Sequence, residues 1–414
     1  MKKLRVILLL LTSFGLGFVL GTAGASQGSK NQEDSYRYIK LFTDVLQIVK
    51  QNYVEDPNIK DLIYGALNGM MRALDPFSSF FTPDEYKEFM EETEGEFGGV
   101  GIEISIEKGR PIVISPIEGT PAYNAGIKPG DIILEVDGKD TSNMSLMEVV
   151  KNIRGKPGTK VELTILRKGQ DKPVKVTLER TLIKIKSVQW TTIDGVGYIR
   201  LSRFSDGVGK EVSKAVRELS KKNVSGIILD LRNDPGGLLS EAVNVAEVFV
   251  PRGKLIVYTK GRNQENVKYF STKDPVYPKD LPLVVLINRG TASAAEIVTG
   301  ALQDYKLATV MGEKSFGKAS VQNIIPLEDG SAIKLTVAYY YTPSGRLIHK
   351  KGIEPNIVVP MSQEEEEKLQ EAIREKRMKG ATEGIILLPE KDVQLKKAIE
   401  YIKQKAVQKK VANF

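Results

Sequence analysis

The chain has 414 residues, 41% hydrophobic and 27% charged, which suffices for two or three domains with buried cores and excludes disorder throughout. Its net charge of +8 comes from the two ends, residues 1–26 and 391–414, so the charge-balanced middle argues against a nucleic-acid partner. The absence of cysteine excludes disulfides, thiolate nucleophiles and thiolate metal sites.

Residues 1–25 read as an export signal. Lys2, Lys3 and Arg5 precede an uncharged run over residues 6–25 that ends in Ala-Gly-Ala. The run approaches the ~20 residues that span a bilayer, so a retained membrane anchor stays open. Both alternatives predict a periplasmic or other extracytoplasmic protein that contacts the membrane only through this segment.

Residues 33–95 predict an N-terminal helical region. Apolar residues recur at spacings of three and four, and Thr82 followed by Pro83 is typical of a helix start. We expect this region to pack or to oligomerise. A homodimer or higher oligomer through the terminal helices is the corresponding expectation.

Residues 96–181 switch to glycine and then to short β-rich runs, with one helix predicted over Leu146 to Ile153. This pattern resembles a PDZ domain across its whole length. The resemblance implies that the loop before the second PDZ strand binds a peptide C-terminal carboxylate through its backbone N–H groups. The loop residues are Gly99, Val100, Gly101 and Ile102. The alternative is that these glycines only permit a tight turn.

Residues 182–360 alternate strand and helix patterns, which predicts a mixed α/β domain with β-hairpins after it. The nearly all-apolar run LPLVVLIN indicates a central strand. Residues 361–414 predict a C-terminal helical region. Its acidic run Glu364 to Glu367 is typical of a solvated helix start, and Leu395, Ile399 and Ile402 share one face of the last helix.

Two kinds of chemistry are disfavoured by the residues available. His349 is the only histidine, so a histidine triad would depend on it alone and a multi-histidine zinc site is excluded. The stretch GEKSFGKAS approaches a phosphate-binding loop. However, Ala319 replaces the Ser or Thr that holds Mg²⁺, and a β-hairpin pattern follows where a helix is needed. A catalytic carboxylate pair stays open, but no pair stands out.

Lys318 fits better as a general base, because burial lowers the pKa of an amine toward neutrality. Ser293 is the best hydroxyl partner. It follows a central strand, and small residues surround it where a helix begins, so N–H groups could stabilise an oxyanion. The alternative reading is a small residue in a tight junction. Strand alternation places Lys318, Ser320 and Gln322 on one face.

GTASAAEIVTGALQD and SFGKASVQ, with ILDLRNDPGGLL, ALDPFSSFFTP, YYYTPSGRLI and KGIEP, resemble the C-terminal processing peptidases, or tail-specific proteases. The resemblance implies a crotonase/ClpP-like serine protease core with an inserted PDZ domain. It implies Ser293 as nucleophile, Lys318 as base and Gln322 as the residue that orients the lysine. The oxyanion hole would use the N–H groups of Ala294, Gly237 and also Gly236.

Three positions depart from the commonest form of these motifs: Thr291 replaces Ser, Ala319 replaces Gly, and Phe77 replaces His. None of them removes a reacting atom. Arg154, in the turn after the PDZ helix, is read either as a contact to the catalytic domain or as a solvated turn residue.

The sequence therefore predicts an exported serine endopeptidase that recognises unfolded or tail-exposed protein substrates by their C-termini. It needs no metal or other cofactor. The alternative from another class is a catalytically inactive PDZ adaptor that only binds peptides.

Overall fold

The structure is a computed structural model, and it describes residues 34–94, 96–107, 109–117, 119–167, 169–184, 186–262, 266–379 and 384–412. These residues form two compact units that divide between Leu74 and Asp75. The predicted export signal or anchor, residues 1–25, lies outside the described residues. Within the described part of the chain, no helix is both long and apolar enough to cross a bilayer.

The first unit contains two helices, α1 over residues 34–52 and α2 over Ile59–Leu74. Apolar side chains recur along α1 at spacings of three, and those of Ile39, Phe42 and Val45 are exposed. The helical prediction for this region therefore holds.

The second unit begins with strand β1 and helix α3, Ser79–Phe81 and Pro83–Glu94. Thr82 caps α3 as predicted. Its hydroxyl accepts the Glu85 N–H at 3.3 Å, and the Glu85 carboxylate accepts the Thr82 N–H at 2.8 Å.

The PDZ-like part consists of a five-stranded sheet with a short added strand, a two-stranded ribbon and two helices. The ribbon is β2 with β9, and the sheet order is β3-β4-β5-β7-β8 with β6 on β5. The elements are β2 Glu96–Gly99, β3 Ile102–Glu107, β4 Arg110–Pro116, α4 Pro121–Asn124, β5 Ile132–Val136, β6 Lys139–Asp140, α5 Leu146–Ile153, β7 Lys160–Leu166, β8 Val174–Glu179 and β9 Thr181–Lys184. Strand β3 lies at the edge of the sheet, as strand addition by a peptide requires.

The remaining core is a six-stranded sheet of order β10-β11-β12-β15-β16-β19, parallel except for the β10–β11 pair. Three helices, α6 to α8, follow strands of this sheet. The elements of this part of the chain, which include four strands of a second sheet (β13, β14, β17 and β18), are β10 Val188–Ile193, β11 Val196–Leu201, α6 Val208–Lys221, β12 Ile227–Asp230, α7 Leu239–Glu247, β13 Leu255–Gly261, β14 Val267–Phe270, β15 Leu283–Ile287, α8 Ala294–Asp304, β16 Thr309–Gly312, β17 Ser320–Pro326, β18 Ala332–Tyr341 and β19 Ile357–Val358.

Strand β15 is central and fully buried, as its apolar run predicted. Leu283, Val285 and Ile287 pack against the helices on one face of the sheet. Val284 and Leu286 belong to the core on the opposite face. Because both faces are covered, the strand needs no polar positions.

Strands β17 and β18 form the predicted hairpin, and they belong to a second sheet of order β1-β18-β13-β14. The pairing of β1 with β18 places Ser79 opposite Lys334. The segment before α3 thereby lies beside the hairpin that follows Lys318.

Two helices end the chain, α9 over Gln363–Met378 and α10 over Val393–Ala412. Leu395, Ile399 and Ile402 of α10 are buried against the sheet of their own chain. Intramolecular packing therefore covers this apolar face, and the expected oligomerisation through the terminal helices stays a prediction.

Candidate active site

The site lies where three neighbouring parallel strands end. Strands β12, β15 and β16 pair in register, so the segments after them meet at one edge of the sheet. These segments carry residues 234–237, Ser293 and Lys318, respectively. The carboxyl edge of a parallel sheet is the usual place for a ligand crevice.

A cavity of about 510 Å³ opens at this edge. The predicted catalytic residues Ser293, Lys318 and Gln322 all line it, together with Gly236, Gly237 and Ala294. The structure thus brings all six residues to one cavity. His349 does not line it; its ring lies 4.6 Å from that of Tyr339, and burial lowers its pKa.

Ser293 occupies an unusual backbone conformation between β15 and α8. Its φ is 55° and its ψ is −117°, a combination that a residue with a Cβ adopts only when the surroundings impose it. Two hydrogen bonds hold this junction. The Ala292 N–H donates to the carbonyl of Asp234, and the Ser293 N–H donates to Glu296, both at 2.9 Å.

Gly236 makes the close approach that brings its loop against the serine. A Cβ on Gly236 would lie 2.7 Å from the Ser293 Cβ and 2.8 Å from the Ala294 nitrogen, and its φ is +94°. Only glycine fits there. The Gly236 N–H donates to Asp234 Oδ1 at 2.8 Å, so it is not free to donate to an oxyanion.

The N–H groups of Gly237 and Ala294 differ in this respect. Neither donates a hydrogen bond to another described residue. Two backbone donors that lack an acceptor among the described residues, beside a half-buried serine, can stabilise a developing oxyanion. The structure therefore leaves two of the three predicted oxyanion donors available, and Gly236 is the exception.

Glu296 is a buried carboxylate that the sequence analysis missed. It accepts the N–H groups of Ser293, Gly317 and Lys318 and the hydroxyl of Ser315, at 2.5 to 2.9 Å. Burial raises its pKa, and the four donors oppose that rise. A single acid within the apolar run ASAAEIVTGAL was the signal that could have identified it.

Lys318 is half-buried, and this burial lowers its pKa. The nearby charge of Lys334 lowers the pKa further, while Glu296 opposes the change. The ammonium lies 5.0 Å from the centre of the Phe77 ring. Within the described residues it forms no hydrogen bond to Ser293 or Gln322; the Gln322 amide donates to Ser320 Oγ at 2.7 Å instead.

Tyr340 and Asp234 were also missed. The buried hydroxyl of Tyr340 reaches the carbonyl oxygens of both Ser293, at 2.9 Å, and Lys318. It therefore ties the two segments together. Burial raises the pKa of Asp234 to about 8, and its Oδ2 has no hydrogen-bond partner among the described residues.

The PDZ loop has a similar pair of free donors. Val100 and Gly101 donate no hydrogen bond from their backbone nitrogens within the described part of the chain. Gly101 has a φ of +77°, and a Cβ there would lie 2.3 Å from Thr120. Arg154 stacks on the Phe97 ring at 4.1 Å, a contact within the same PDZ-like part.

Three family descriptions match the chain: peptidase family S41 over residues 195–359, the PDZ domain over 89–166, and the activating protease CtpB N-terminal domain over 19–84. A "Carboxy-terminal-processing protease" of Bartonella bacilliformis is 43% identical over 80% of this chain and 77% of its own length. A "Probable CtpA-like serine protease" of Staphylococcus haemolyticus is 38% identical over 87% and 74%, respectively.

Among solved structures, a candidate S41 protease from Bacteroides fragilis NCTC 9343 has a TM-score of 0.50 at 16% identity. The match covers 82% of this chain and 95% of that one. At this identity the likeness concerns the fold alone.

Proposed function

Because the chain belongs to peptidase family S41, as a carboxy-terminal-processing serine protease with a PDZ domain, we propose that it cleaves peptide bonds with a Ser293–Lys318 dyad. The predicted family, fold class and serine-protease activity are confirmed by these matches. The roles of individual residues are our proposal.

The observation that carries this proposal is the convergence of three features on one cavity. These are the strained Ser293, a half-buried lysine of lowered pKa, and two N–H groups without acceptors. A neutral lysine can accept the serine proton at a pH where an exposed lysine stays charged. No histidine is needed for this step.

In the proposed reaction, Lys318 Nζ takes the proton from Ser293 Oγ as the oxygen attacks the substrate carbonyl. The N–H groups of Gly237 and Ala294 stabilise the resulting oxyanion. Lys318 then gives the proton to the leaving amine as the C–N bond breaks, which leaves an acyl-enzyme. Water hydrolyses the ester by the same steps and restores Ser293.

Gln322 orients the lysine in this proposal. Its amide nitrogen already donates to Ser320, so its amide oxygen remains as an acceptor, and the residue lines the same cavity. A rotation of the Lys318 side chain from the Phe77 ring toward Ser293 would let the ammonium donate a hydrogen bond to this oxygen.

We further propose that substrates are unfolded or tail-exposed proteins whose C-terminal carboxylate binds the Val100 and Gly101 N–H groups. The peptide would add to the free edge of β3 beside Ile102, with Gly99 allowing the turn. The inactive-adaptor alternative is not favoured, since the chain retains a serine, a lysine and two oxyanion donors at one cavity.

The decisive test measures cleavage of an unfolded casein by the parent and by Ser293→Ala and Lys318→Ala. We expect both variants to lose at least about a thousandfold in kcat. Lys314→Ala, an exposed lysine four positions before Lys318, is the matched control and should keep full activity. Either dyad variant cleaving as fast as the parent would overturn the assignment.

Export and assembly through α1 complete the proposal. The exposed apolar side chains of α1 suit pairing with a second copy of the chain, and the N-terminal segment suits an extracytoplasmic location. Replacing Ile39 and Phe42 by Ser should convert a dimer into a monomer in sedimentation experiments. A parent that already sediments as a monomer would contradict this assembly.

A further inference from the structure

A second lysine lines the active-site cavity, and the proposed dyad does not use it. Lys334 lies on β18 opposite Ile324 of β17, two positions along the strand from Gln322. Its side chain is half-buried, and the residue borders the same cavity as Ser293 and Lys318.

Two aromatic rings hold the Lys334 ammonium. The ring centres of Phe81 and Phe89 lie 5.3 Å and 5.5 Å from its Nζ, and the two rings stack on each other at 5.0 Å. Aromatic faces attract a cation but supply no full negative charge. They position the ammonium without neutralising it.

Lys334 pairs with no carboxylate of the described residues. Among the described residues it has no ion pair within 4.0 Å. Asp75 is the acid whose charge acts on it, and the Asp75 oxygens accept hydrogen bonds from the backbone of Phe77 and Ser78 and from the Ser78 hydroxyl. Burying a cation without a counter-charge is costly, so a bound anion at this position would be favourable.

Lys318 lines the same cavity as a second half-buried lysine. Among the described residues that line the cavity, none is Asp or Glu. From this charge distribution and the aromatic clamp, we infer that Lys334 forms a carboxylate-binding subsite of the substrate cleft. This inference rests on the proposed function and names its substrate class: peptides that carry an acidic group near the cleaved bond.

The register of the hairpin gives the spacing along β17 between the Lys318 segment and the position opposite Lys334. Ser320 follows the Lys318 segment directly, and Ile324, opposite Lys334, lies four positions further along β17. At ~3.3 Å per residue this is about 13 Å. An extended peptide covers that length in about four residues, so the acidic group belongs about three to five residues from the scissile bond.

A carboxylate at this distance has two sources, an Asp or Glu side chain and the C-terminal carboxylate of a short tail. Peptides that are otherwise identical distinguish them: one with an internal Glu and an amidated end, one neutral with a free C-terminus, and one neutral and amidated. Moving the Glu along the series locates the subsite.

The measured quantity is the ratio of kcat/KM for each acidic peptide to that for the neutral amidated peptide. In the parent we expect at least one acidic peptide to be preferred. Lys334→Met should reduce this preference by about tenfold or more, and Lys334→Arg should retain most of it. Because a ratio is compared, changes in the dyad that affect all peptides cancel. The two amidated peptides lack the carboxylate that the PDZ loop is proposed to bind, so their ratio is independent of PDZ binding.

Lys260→Met is the matched control. Lys260 also lies over two aromatic rings of the same sheet, those of Tyr258 and Tyr341, but it is exposed and does not line the cavity. Its ratio should equal that of the parent. A parent that cleaves all three peptides with the same ratio as Lys334→Met overturns the subsite. Loss of cleavage of every peptide in both Ser293→Ala and Lys318→Ala upholds the dyad independently.

Discussion

The Oε2 atom of Glu296 accepts the backbone N–H of Lys318 at 2.9 Å. The same oxygen accepts the Ser293 N–H, also at 2.9 Å. One buried carboxylate thus fixes the backbone of the proposed nucleophile and of the proposed base, although neither of its oxygens reaches the reacting atoms. Glu296 is a positioning residue in this interpretation.

Glu296→Gln should therefore lower kcat by about tenfold to a hundredfold and leave KM nearly unchanged. The amide has a single acceptor oxygen, and its NH₂ group would face backbone donors that the carboxylate now satisfies. We also expect the free energy of unfolding to fall by about 2 kcal/mol or more. Urea denaturation together with steady-state kinetics measures both effects.

Glu354→Gln is the control for this prediction. Glu354 is exposed and pairs with Lys314 at the surface, so its change should alter neither quantity noticeably. A Glu296→Gln variant that unfolds earlier but keeps the parent kcat would show that Glu296 stabilises the fold without positioning the dyad.

Lys334 also affects the pH dependence of the reaction through its charge. Its proximity lowers the pKa of Lys318, after the larger effect of burial. Lys334→Met should raise the pKa of Lys318, so that more of the base is protonated at a given pH. The acidic limb of kcat/KM against pH, measured with the neutral amidated peptide, should move to higher pH. An unmoved limb would show that another group controls it.

Phe77→Leu should move the same limb in the opposite direction. The ring of Phe77 stabilises the charged form of Lys318 by a cation–π contact at 5.0 Å. Without the ring, the neutral base is favoured and the limb moves to lower pH. Phe81→Leu is the comparison, because the Phe81 ring contacts Lys334 and not Lys318. It tests whether the shift of the acidic limb is specific to the ring beside Lys318.

The residues that these predictions concern mark the limit of what sequence patterns can predict. The apolar run of β15, the helix after Ser293 and the hairpin after Lys318 are local features, and the structure has all of them. Phe81 reaches Lys334 only because β1 pairs with β18 across some 250 residues of chain. No local pattern encodes that contact.

Sequence patterns also do not show which N–H groups already donate a hydrogen bond within the fold. The sequence placed Gly236 among the oxyanion donors, yet the Asp234 side chain turns back and accepts its N–H. Likewise, Glu296 stands in an apolar helix, and its four donors come from two separate segments, Ser293 and residues 315–318. Such roles depend on side-chain placement in three dimensions.

Asp234 should make stability depend on pH. Its pKa is raised to about 8 in the folded chain, whereas an unfolded Asp titrates near 4. Between about pH 4 and pH 8 the unfolded chain has lost this proton and the folded chain keeps it, so stability falls as pH rises, by up to roughly 1.4 kcal/mol per unit. Above the folded pKa the loss is complete.

Asp234→Asn removes this titration and keeps an oxygen to accept the Gly236 N–H. The variant's unfolding free energy minus that of the parent should increase from pH 5 to pH 8 and then level off. Denaturant titrations at each pH measure the difference. A constant difference would mean that Asp234 titrates normally in the folded chain.

The backbone conformation of Ser293 should decide which substitutions there are tolerated. A Cβ at φ 55° and ψ −117° stores strain of about 1 to 3 kcal/mol, which glycine relieves at a cost of about 0.5 to 1 kcal/mol in chain entropy. Ser293→Gly should therefore be inactive yet more stable than Ser293→Ala, with a higher Tm. Ala294→Gly, at the neighbouring helical position, should lower the Tm because no strain is relieved there. If both glycine variants are destabilised equally, the turn at Ser293 carries no strain.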